Sequence, residues 1–186
     1  MDAQTLDGGF GSPPQESAQA FRAIMNATAQ PGTIWQVAGA MPPAPVSVAA
    51  GVALLTLCDP ETPLFLGASI DSPGLRDWIT FHCGAPLVSA DQARFALGIW
   101  DDLPLDDFAL GTAEYPDRSA TLIVELHALT DQGAVLRGPG IKDQAQLSLP
   151  ETAAFQRNNA LFPLGLDFIF TCGDRLAALP RSTRIG

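Results

Sequence analysis

The sequence predicts a single α/β domain built around a mixed β-sheet. Helical and strand-like segments alternate along most of the chain, which is typical of parallel strands joined by helices. The C-terminal third instead places short apolar runs close together, as in antiparallel hairpins. The 186 residues match the length of one domain, and 47% of them are hydrophobic, enough for a core without metals or disulfides. We assign the domain to residues 12–186 and expect residues 1–11, which are rich in glycine, to be a flexible N-terminus.

The first helix is predicted to begin at Pro13. Ser12 suits the N-cap, Pro13 suits the first helical position, and Gln15 completes a capping box. Apolar residues then follow at helical spacing until a Pro-Gly pair at residues 31–32 ends the helix. A short strand is expected over residues 33–37. The apolar run at 46–58 is too short to span a bilayer and predicts a buried helix.

The next third continues the alternation. A strand is predicted at residues 62–66, and Ser72 before Pro73 predicts the start of a helix that ends at Gly84. Its apolar face would carry Leu75, Trp78, Ile79 and His82. Short strands are expected at 85–89 and 93–99. The four aspartates around Pro104 lack the spacing of a calcium loop, so they predict a solvated loop or short helix.

The last third predicts two hairpins and one helix. Residues 120–129 form the strongest strand pattern, and a turn at Gly133 would pair them with residues 135–137. Alternation places Leu122, Val124 and Leu126 on one face of that strand, and Glu125 and His127 on the other. A helix is expected at 150–158. The apolar runs 166–172 and 175–179 flank a Gly-Asp turn and predict a second hairpin.

The charge balance excludes several classes of function. The chain has 20 acidic and 10 basic residues, a net charge of -10, and Lys142 is its single lysine. A nonspecific nucleic-acid binder or a basic membrane-surface helix needs a cationic face, so both are excluded. Charged residues are 16% of the chain, below the roughly 25% of typical domains. Either a partner covers part of the surface, or uncharged polar groups and backbone do.

The N-terminus and the cysteines indicate a cytoplasmic protein. The first residues have neither the basic nor the apolar segment of a signal peptide. Cys58, Cys83 and Cys172 are odd in number and form no CxxC pair, so they predict no zinc or redox motif. We interpret them as small apolar residues of the core in a reducing compartment.

A search for catalytic motifs finds none that predicts a reaction. The Rossmann and P-loop glycine patterns are absent. Residues 138–142 form either a phosphate cradle or, more simply, a tight turn. His82 and His127 have no recognisable partner, and Lys142 is the only residue able to form a Schiff base. We therefore predict no cofactor, no metal and no catalytic residue.

The C-terminus is the one locally basic segment. This segment contains three arginines, Arg175, Arg181 and Arg184, but one acidic residue, Asp174, whereas the chain as a whole is acidic. Arginine binds phosphate with two parallel hydrogen bonds, so these residues suit an anionic ligand. Solvated charges near a chain end are the alternative interpretation.

Several blocks together resemble one family, the PhnH family, a subunit of bacterial carbon–phosphorus lyase. Their order and spacing match over about residues 12–184, and the C-terminal blocks are long enough to be specific. The blocks are Phe21 and Arg22; Gln30, Pro31 and Gly32; residues 54–59 with Thr62 and Pro63; Phe81 and His82; residues 85–88; Gly111 and Thr112; residues 138–141; and residues 162–167, 171–173 and 179–183.

The resemblance implies a homodimer with a three-layer α/β/α sandwich, similar to a reduced pyridoxal-phosphate transferase without the cofactor. It also implies a larger complex with the G, I and J subunits. That complex transfers the ribose triphosphate of ATP to an alkylphosphonate and releases adenine. The resemblance places catalysis mainly on the I subunit, and the later radical step belongs to the iron–sulfur J subunit. This chain would then be an accessory subunit.

Four residues in the matching blocks are candidates for ligand binding: Arg22, His82, Arg137 and Arg181. Both substrates carry phosphate or phosphonate groups, and the chain has few cations to offer them. The resemblance supplies no catalytic residue. The alternative function is a stand-alone small-molecule transferase acting on a phosphorylated ligand, for which converging arginines in a cavity would be the sign.

Overall fold

The computed structural model describes residues 7–186. Within them lie four α-helices, nine strands and several short 3₁₀ helices. The helices are α1 (Pro13–Ala29), α2 (Val48–Leu57), α3 (Pro73–His82) and α4 (Ala153–Ala160). The strands are β1 (Trp35–Gln36), β2 (Leu64–Leu66), β3 (Phe95–Ile99), β4 (Thr121–Glu125), β5 (Ala134–Arg137), β6 (Ala145–Leu147), β7 (Asp167–Cys172), β8 (Arg175–Leu179) and β9 (Arg184–Ile185).

Six of the strands form the central sheet, in the order β1-β8-β7-β4-β3-β2. Strands β2, β3, β4 and β7 run parallel, whereas β8 is antiparallel to β7 and β1 is antiparallel to β8. The remaining strands form a small antiparallel sheet in the order β6-β5-β9. The predicted mixed α/β architecture is therefore confirmed, and so is the hairpin of β7 and β8.

The central sheet carries a core on each face, so its inner strands are apolar on both sides, as expected for parallel strands. Ile123 of β4 and Ile169 of β7 belong to the core shared with α1, α2 and α3. Leu122 of β4 and Phe170 of β7 point into the second core, which α4 and the small sheet complete. Phe155 of α4 fills this second core and is 1% exposed.

Helix α1 begins as predicted, but its N-terminus is not closed by the predicted capping box. The Ser12 hydroxyl makes no capping bond. In a capping box it would accept from the backbone N–H of Gln15, but that N–H donates to the Ser12 carbonyl instead. Glu16 takes the place predicted for Gln15, and its Oε2 accepts from the Ser12 N–H at 2.6 Å. A carboxylate is favoured there over an amide because the first turn carries the positive end of the helix dipole.

Helices α2 and α3 follow the predicted segments closely. The Ser47 hydroxyl accepts from the Ala50 N–H, and the Ser72 hydroxyl accepts from the Leu75 N–H, both at 3.2 Å. Each serine therefore satisfies an amide that has no partner within its helix. Helix α4 begins later than predicted, because the Glu151 carboxylate caps it by accepting from the Ala154 N–H.

Three predictions about the strands are wrong. Residues 85–89 form only a single bridge, between Leu87 and Leu64. Strand β4 does not form a hairpin with residues 135–137, because β3 and β7 already occupy both of its edges. Strand β5 pairs instead with β6 and β9. Strand β4 also ends at Glu125, so His127 lies beyond it in an exposed loop rather than on a strand face.

The acidic segment near Pro104 forms the expected short helices, which are the 3₁₀ turns Trp100–Asp102 and Leu105–Asp107. In the part of the chain that the structure covers, no helix combines the length and the hydrophobicity needed to cross a bilayer.

Part of the predicted flexible N-terminus, residues 1–6, lies outside the described residues. Residues 7–10 lie against the domain. The Gly8 carbonyl accepts from the Met41 N–H at 2.8 Å, and the His82 imidazole is 3.3 Å from the Asp7 carbonyl. The flexibility of residues 1–11 and the domain assignment of 12–186 stay predictions.

Candidate functional site

The carboxyl ends of the parallel strands meet at one edge of the central sheet, where ligands of open α/β folds usually bind. Each of the three inner parallel strands is followed or ended there by an acidic residue. Asp101 follows β3, Glu125 ends β4, and Asp174 follows β7. Two cavities open along this edge, and both are lined by carboxylates.

The first cavity, which we call the β3–β4 cleft, has a volume of about 350 Å³. Its lining residues are Ile99, Trp100, Asp101, Glu125, Leu126, His127, Ala128, Ser148, Leu149 and Pro150. Trp100 packs on Phe155 with ring centroids 4.8 Å apart, so one wall of the cleft is anchored in the second core. His127 and Asp101 are exposed at its rim.

Glu125 is the most buried ionisable group of the β3–β4 cleft, and both of its carboxylate oxygens are held by the protein. Oε1 accepts from the Ser47 N–H at 2.5 Å, and Oε2 accepts from the Thr171 hydroxyl at 3.1 Å. Glu125 therefore ties the N-terminus of α2 to strands β4 and β7. Burial raises the pKa of the Glu125 carboxyl, although the hydrogen bonds from Ser47 and Thr171 act in the opposite direction.

The raised pKa of Glu125 makes stability depend on pH. The folded chain holds the Glu125 proton more tightly than the unfolded chain. The resulting stabilisation is complete below the pKa of an unfolded glutamate and is lost as the pH rises through the raised pKa. In the Glu125→Gln variant an amide that does not ionise replaces the carboxyl, so this decrease in stability with rising pH is absent. We therefore expect the variant to gain stability relative to the parent chain as the pH rises from 4 to 8, measured by urea denaturation.

A matched control for this prediction is Glu114→Gln, because Glu114 is exposed and makes no described side-chain contact. It measures the effect on stability of replacing a surface carboxyl by an amide. The assignment to Glu125 fails if both variants show the same pH dependence.

The second cavity lies between α1 and the segment that follows β1, and we call it the α1–β1 groove. It has a volume of about 600 Å³. Its lining residues are Glu16, Gln19, Ala20, Ala23, Gln36, Val37, Ala38, Gly39, Ala40, Val48 and Asp174. Gln36 donates to an Asp174 carboxylate oxygen at 2.5 Å, so the turn between β7 and β8 is fastened to β1 across one end of the groove.

Three of the four predicted ligand-binding residues lie at separate places on the surface. Arg22 is exposed on α1, and Arg137 is exposed at the end of β5, where it donates to the Gln144 side chain at 3.0 Å. His82 ends α3 and lines a cavity of about 380 Å³ together with residues 7–10, Pro13 and Leu55. Its ring centroid is 5.0 Å from that of Trp78.

Arg181 is the most enclosed of the four, with 13% of its side chain exposed. Its guanidinium forms an ion pair with Asp167, donates to the Ser119 hydroxyl, and donates to the Pro116 carbonyl at 2.7 Å. These contacts join β7 to the loop before β4. Of the four residues, only His82 lines one of the main cavities of residues 7–186, so the structure does not bring them into one site.

The glycine-rich residues 138–142 form a tight turn, as the simpler interpretation predicted. The Ile141 N–H donates to the Gly138 carbonyl at 3.2 Å. Gly140 has φ +79°, and a Cβ built there would lie 1.8 Å from the Ala29 carbonyl oxygen, so a close approach to the end of α1 requires glycine. Lys142 is exposed beside this turn and lines none of the main cavities described above.

The described residues offer no prepared nucleophile or metal centre. Burial raises the pKa of both the Cys58 and the Cys83 thiol, that of Cys83 to about 12, so both stay protonated and behave as core residues. No serine, threonine or cysteine in residues 7–186 is hydrogen-bonded to a histidine. The same part of the chain holds no cluster of three or more histidine, cysteine or acidic side chains able to bind a metal ion.

Sequence reasoning missed Glu125, Glu16 and Asp174 as cavity residues. A signal existed for Glu125, since it is the one charge inside the strongest strand pattern of the chain. Glu16 and Asp174 gave no such signal. The sequence around Glu16 indicates only the first turn of a helix, and the sequence around Asp174 indicates only a turn.

Comparison with known proteins identifies the family. The family described as bacterial phosphonate metabolism protein (PhnH) matches residues 8–186. The chain belongs to the PhnH family. The resemblance predicted from the sequence is therefore confirmed.

Two relatives of this PhnH-family chain carry functional names. One is the alpha-D-ribose 1-methylphosphonate 5-triphosphate synthase subunit PhnH of Rhizobium meliloti (strain 1021), which is 40% identical over 98% of this chain and 96% of its own length. The other is the putative C-P lyase subunit protein HtxG of Stutzerimonas stutzeri, which is 31% identical over 94% of this chain and 87% of its own length.

Proposed function

We propose that this chain is an accessory subunit of the bacterial carbon–phosphorus lyase system. In this role it supports the transfer of the ribose triphosphate moiety of ATP to an alkylphosphonate with release of adenine. The observation that carries the proposal is the 40% identity, over 98% of the chain, to a relative named as a subunit of the synthase for that product.

The charges at the two cavities of the sheet edge support an accessory role. Both substrates, ATP and an alkylphosphonate, are anions, and arginine or lysine within hydrogen-bonding distance is the usual way for a protein to bind such groups. The β3–β4 cleft and the α1–β1 groove are both lined by carboxylates, and neither is lined by a lysine or an arginine. We therefore place catalysis on other subunits. In this proposal Arg22, His82, Arg137 and Arg181 contact ligand only where a neighbouring subunit completes the site.

Partners are proposed to be a second copy of this chain and the G, I and J subunits, in the cytoplasm. Large apolar side chains on the surface support this. Phe21 and Met25, four residues apart on α1, are 48% and 53% exposed, and Phe162 is 59% exposed. Charged residues make up only 16% of the chain, and surfaces that combine few charges with exposed aromatic residues and methionine are typical of protein contacts.

The finer fold assignment is also part of the proposal. We infer a three-layer α/β/α sandwich related to pyridoxal-phosphate transferases but without a cofactor site. The positions of α1, α2 and α3 on one face of the sheet and α4 on the other support the layering. The exposed position of Lys142, away from the main cavities, argues against a Schiff base with pyridoxal phosphate.

Native mass spectrometry after co-expression with the G, I and J subunits from a bacterium that encodes this chain tests the role directly. We expect a stable complex that contains two copies of this chain. Co-expression with an unrelated acidic protein is the control and should give no complex. A dimer of this chain that never joins the other subunits would contradict the proposal and would favour the stand-alone transferase.

A further inference from the structure

The α1–β1 groove lies beside an edge of the central sheet. It runs between α1 and residues 36–40, which continue from the edge strand of the central sheet. Five of its lining residues are small, namely Ala20 and Ala23 of α1 and Ala38, Gly39 and Ala40 of the segment after β1. Small side chains on both walls let another backbone approach closely.

Two backbone amides of the segment after β1 have no hydrogen-bond acceptor among the described residues. The Val37 N–H donates to the Asp174 carbonyl at 2.8 Å, which ends the pairing of this edge with β8. Beyond it, neither the Ala38 nor the Gly39 N–H donates to any acceptor within residues 7–186. Free amides beside a sheet edge are the groups with which an extended peptide pairs when it adds to a sheet.

The charges of the groove indicate which peptide fits. Glu16 and Asp174 each use one carboxylate oxygen within the protein, Glu16 for the Ser12 N–H and Asp174 for the Gln36 amide. The other oxygen of each has no hydrogen-bond donor among the described residues. That oxygen of Glu16 would lie 3.0 Å from a Cβ at Gly39, and so would the nearest atom of the Phe10 ring, so both side chains lie beside this part of the segment. No lysine or arginine lines the groove.

We propose that the α1–β1 groove binds an extended segment of another carbon–phosphorus lyase subunit, and that lysine or arginine side chains of that segment pair with Glu16 and Asp174. This proposal rests on the proposed function and adds the surface through which it is exercised. A phosphonate or nucleotide would be repelled by the same two carboxylates. A second copy of this chain would bring a net charge of -10 to an acidic groove, so a cationic segment of a different subunit fits better.

Introducing a positive charge into the groove tests the proposal. Gln19 is an exposed groove residue on α1 with no described side-chain bond, so Gln19→Arg adds repulsion without removing a contact. We expect at least a tenfold weaker association of the purified variant with a complex of the G, I and J subunits, measured by biolayer interferometry. Its melting temperature should stay within two degrees of that of the parent chain.

The matched control is Gln92→Arg, the same substitution at an exposed position that lines none of the main cavities. It should bind like the parent chain. The proposal is overturned if both variants bind equally well, or if both are weakened equally. If the parent chain itself fails to bind the complex, the proposed function fails rather than the choice of surface.

Photocrosslinking identifies the occupant directly. A photoreactive phenylalanine analogue at position 19 should crosslink, within the assembled complex, to a segment of another subunit that carries lysine or arginine. A crosslink to a second copy of this chain, or to its own residues 1–6, overturns the proposal. A crosslink to an acidic or folded helical segment overturns it as well.

Discussion

Alanine at position 140 is expected to destabilise the folded chain by about 2–4 kcal/mol. Gly140 has φ +79°, which strains any residue with a Cβ, and that Cβ would lie 1.8 Å from the Ala29 carbonyl oxygen. The turn cannot easily move away, because it joins two paired strands of the small sheet. Strand β5 is held by β9, and Ala145 of β6 lies against Gly32 beyond the end of α1.

Urea denaturation followed by circular dichroism measures this loss, and Gly74→Ala is the control. Gly74 lies in the first turn of α3, and a Cβ there would meet no atom within 4 Å. Alanine should therefore be neutral or stabilise by about 0.5–1 kcal/mol, because alanine restricts the unfolded chain more than glycine does. Equal effects of the two substitutions would show that the turn does not pack against α1 as described.

Removal of the Arg181 side chain is expected to cost about 2–3 kcal/mol of stability. Arg181→Ala leaves the Asp167 carboxylate without its ion-pair partner and removes the donors to the Ser119 hydroxyl and the Pro116 carbonyl. The Arg181 side chain is 13% exposed and that of Asp167 is 31% exposed, so water only partly replaces the lost contacts. The expected cost is below that of breaking a fully buried ion pair for the same reason.

Two further variants separate the shape of Arg181 from its charge. Arg181→Lys keeps the positive charge but cannot reach all three acceptors, so we expect an intermediate loss of about 1–2 kcal/mol. Arg175→Ala removes an exposed arginine with no described side-chain partner and should change stability by less than about 0.5 kcal/mol. Thermal melts of all three variants test these expected losses of stability. An unchanged melting temperature for Arg181→Ala would contradict a structural role for Arg181.

Growth on a phosphonate as the sole phosphorus source tests whether Arg181 also serves the pathway. If Arg181 has a structural role only, growth of cells with the Arg181→Ala variant should fall in proportion to the amount of folded protein and assembled complex. If both complex assembly and growth are untouched, the ligand-binding prediction for Arg181 is wrong.

The sequence predicted the local features of the fold well. Ser72 before Pro73 located the start of α3, and the Gly-Asp turn located the hairpin of β7 and β8, because capping and tight turns depend on residues that are neighbours in sequence. The family resemblance was likewise visible from short blocks such as residues 179–183. These signals need no knowledge of which strand lies beside which.

The failed hairpin prediction has a tertiary cause. The pattern of residues 120–129 showed a strand, but its partners β3 and β7 are set by packing on both faces of the sheet, and local alternation cannot identify them. Ser47 and Glu125, which meet at the sheet edge, are 78 residues apart.

What the sequence determined by itself was the class of fold, the starts of α1 and α3, the family and the absence of a recognisable catalytic motif. The tertiary structure alone decided where the charges meet. It enclosed Arg181 among protein acceptors, kept Arg22, His82 and Arg137 apart, and lined the two cavities of the sheet edge with carboxylates. Such sites arise from contacts between distant segments, and the energy of those contacts depends on distance and burial, which residue order alone does not specify.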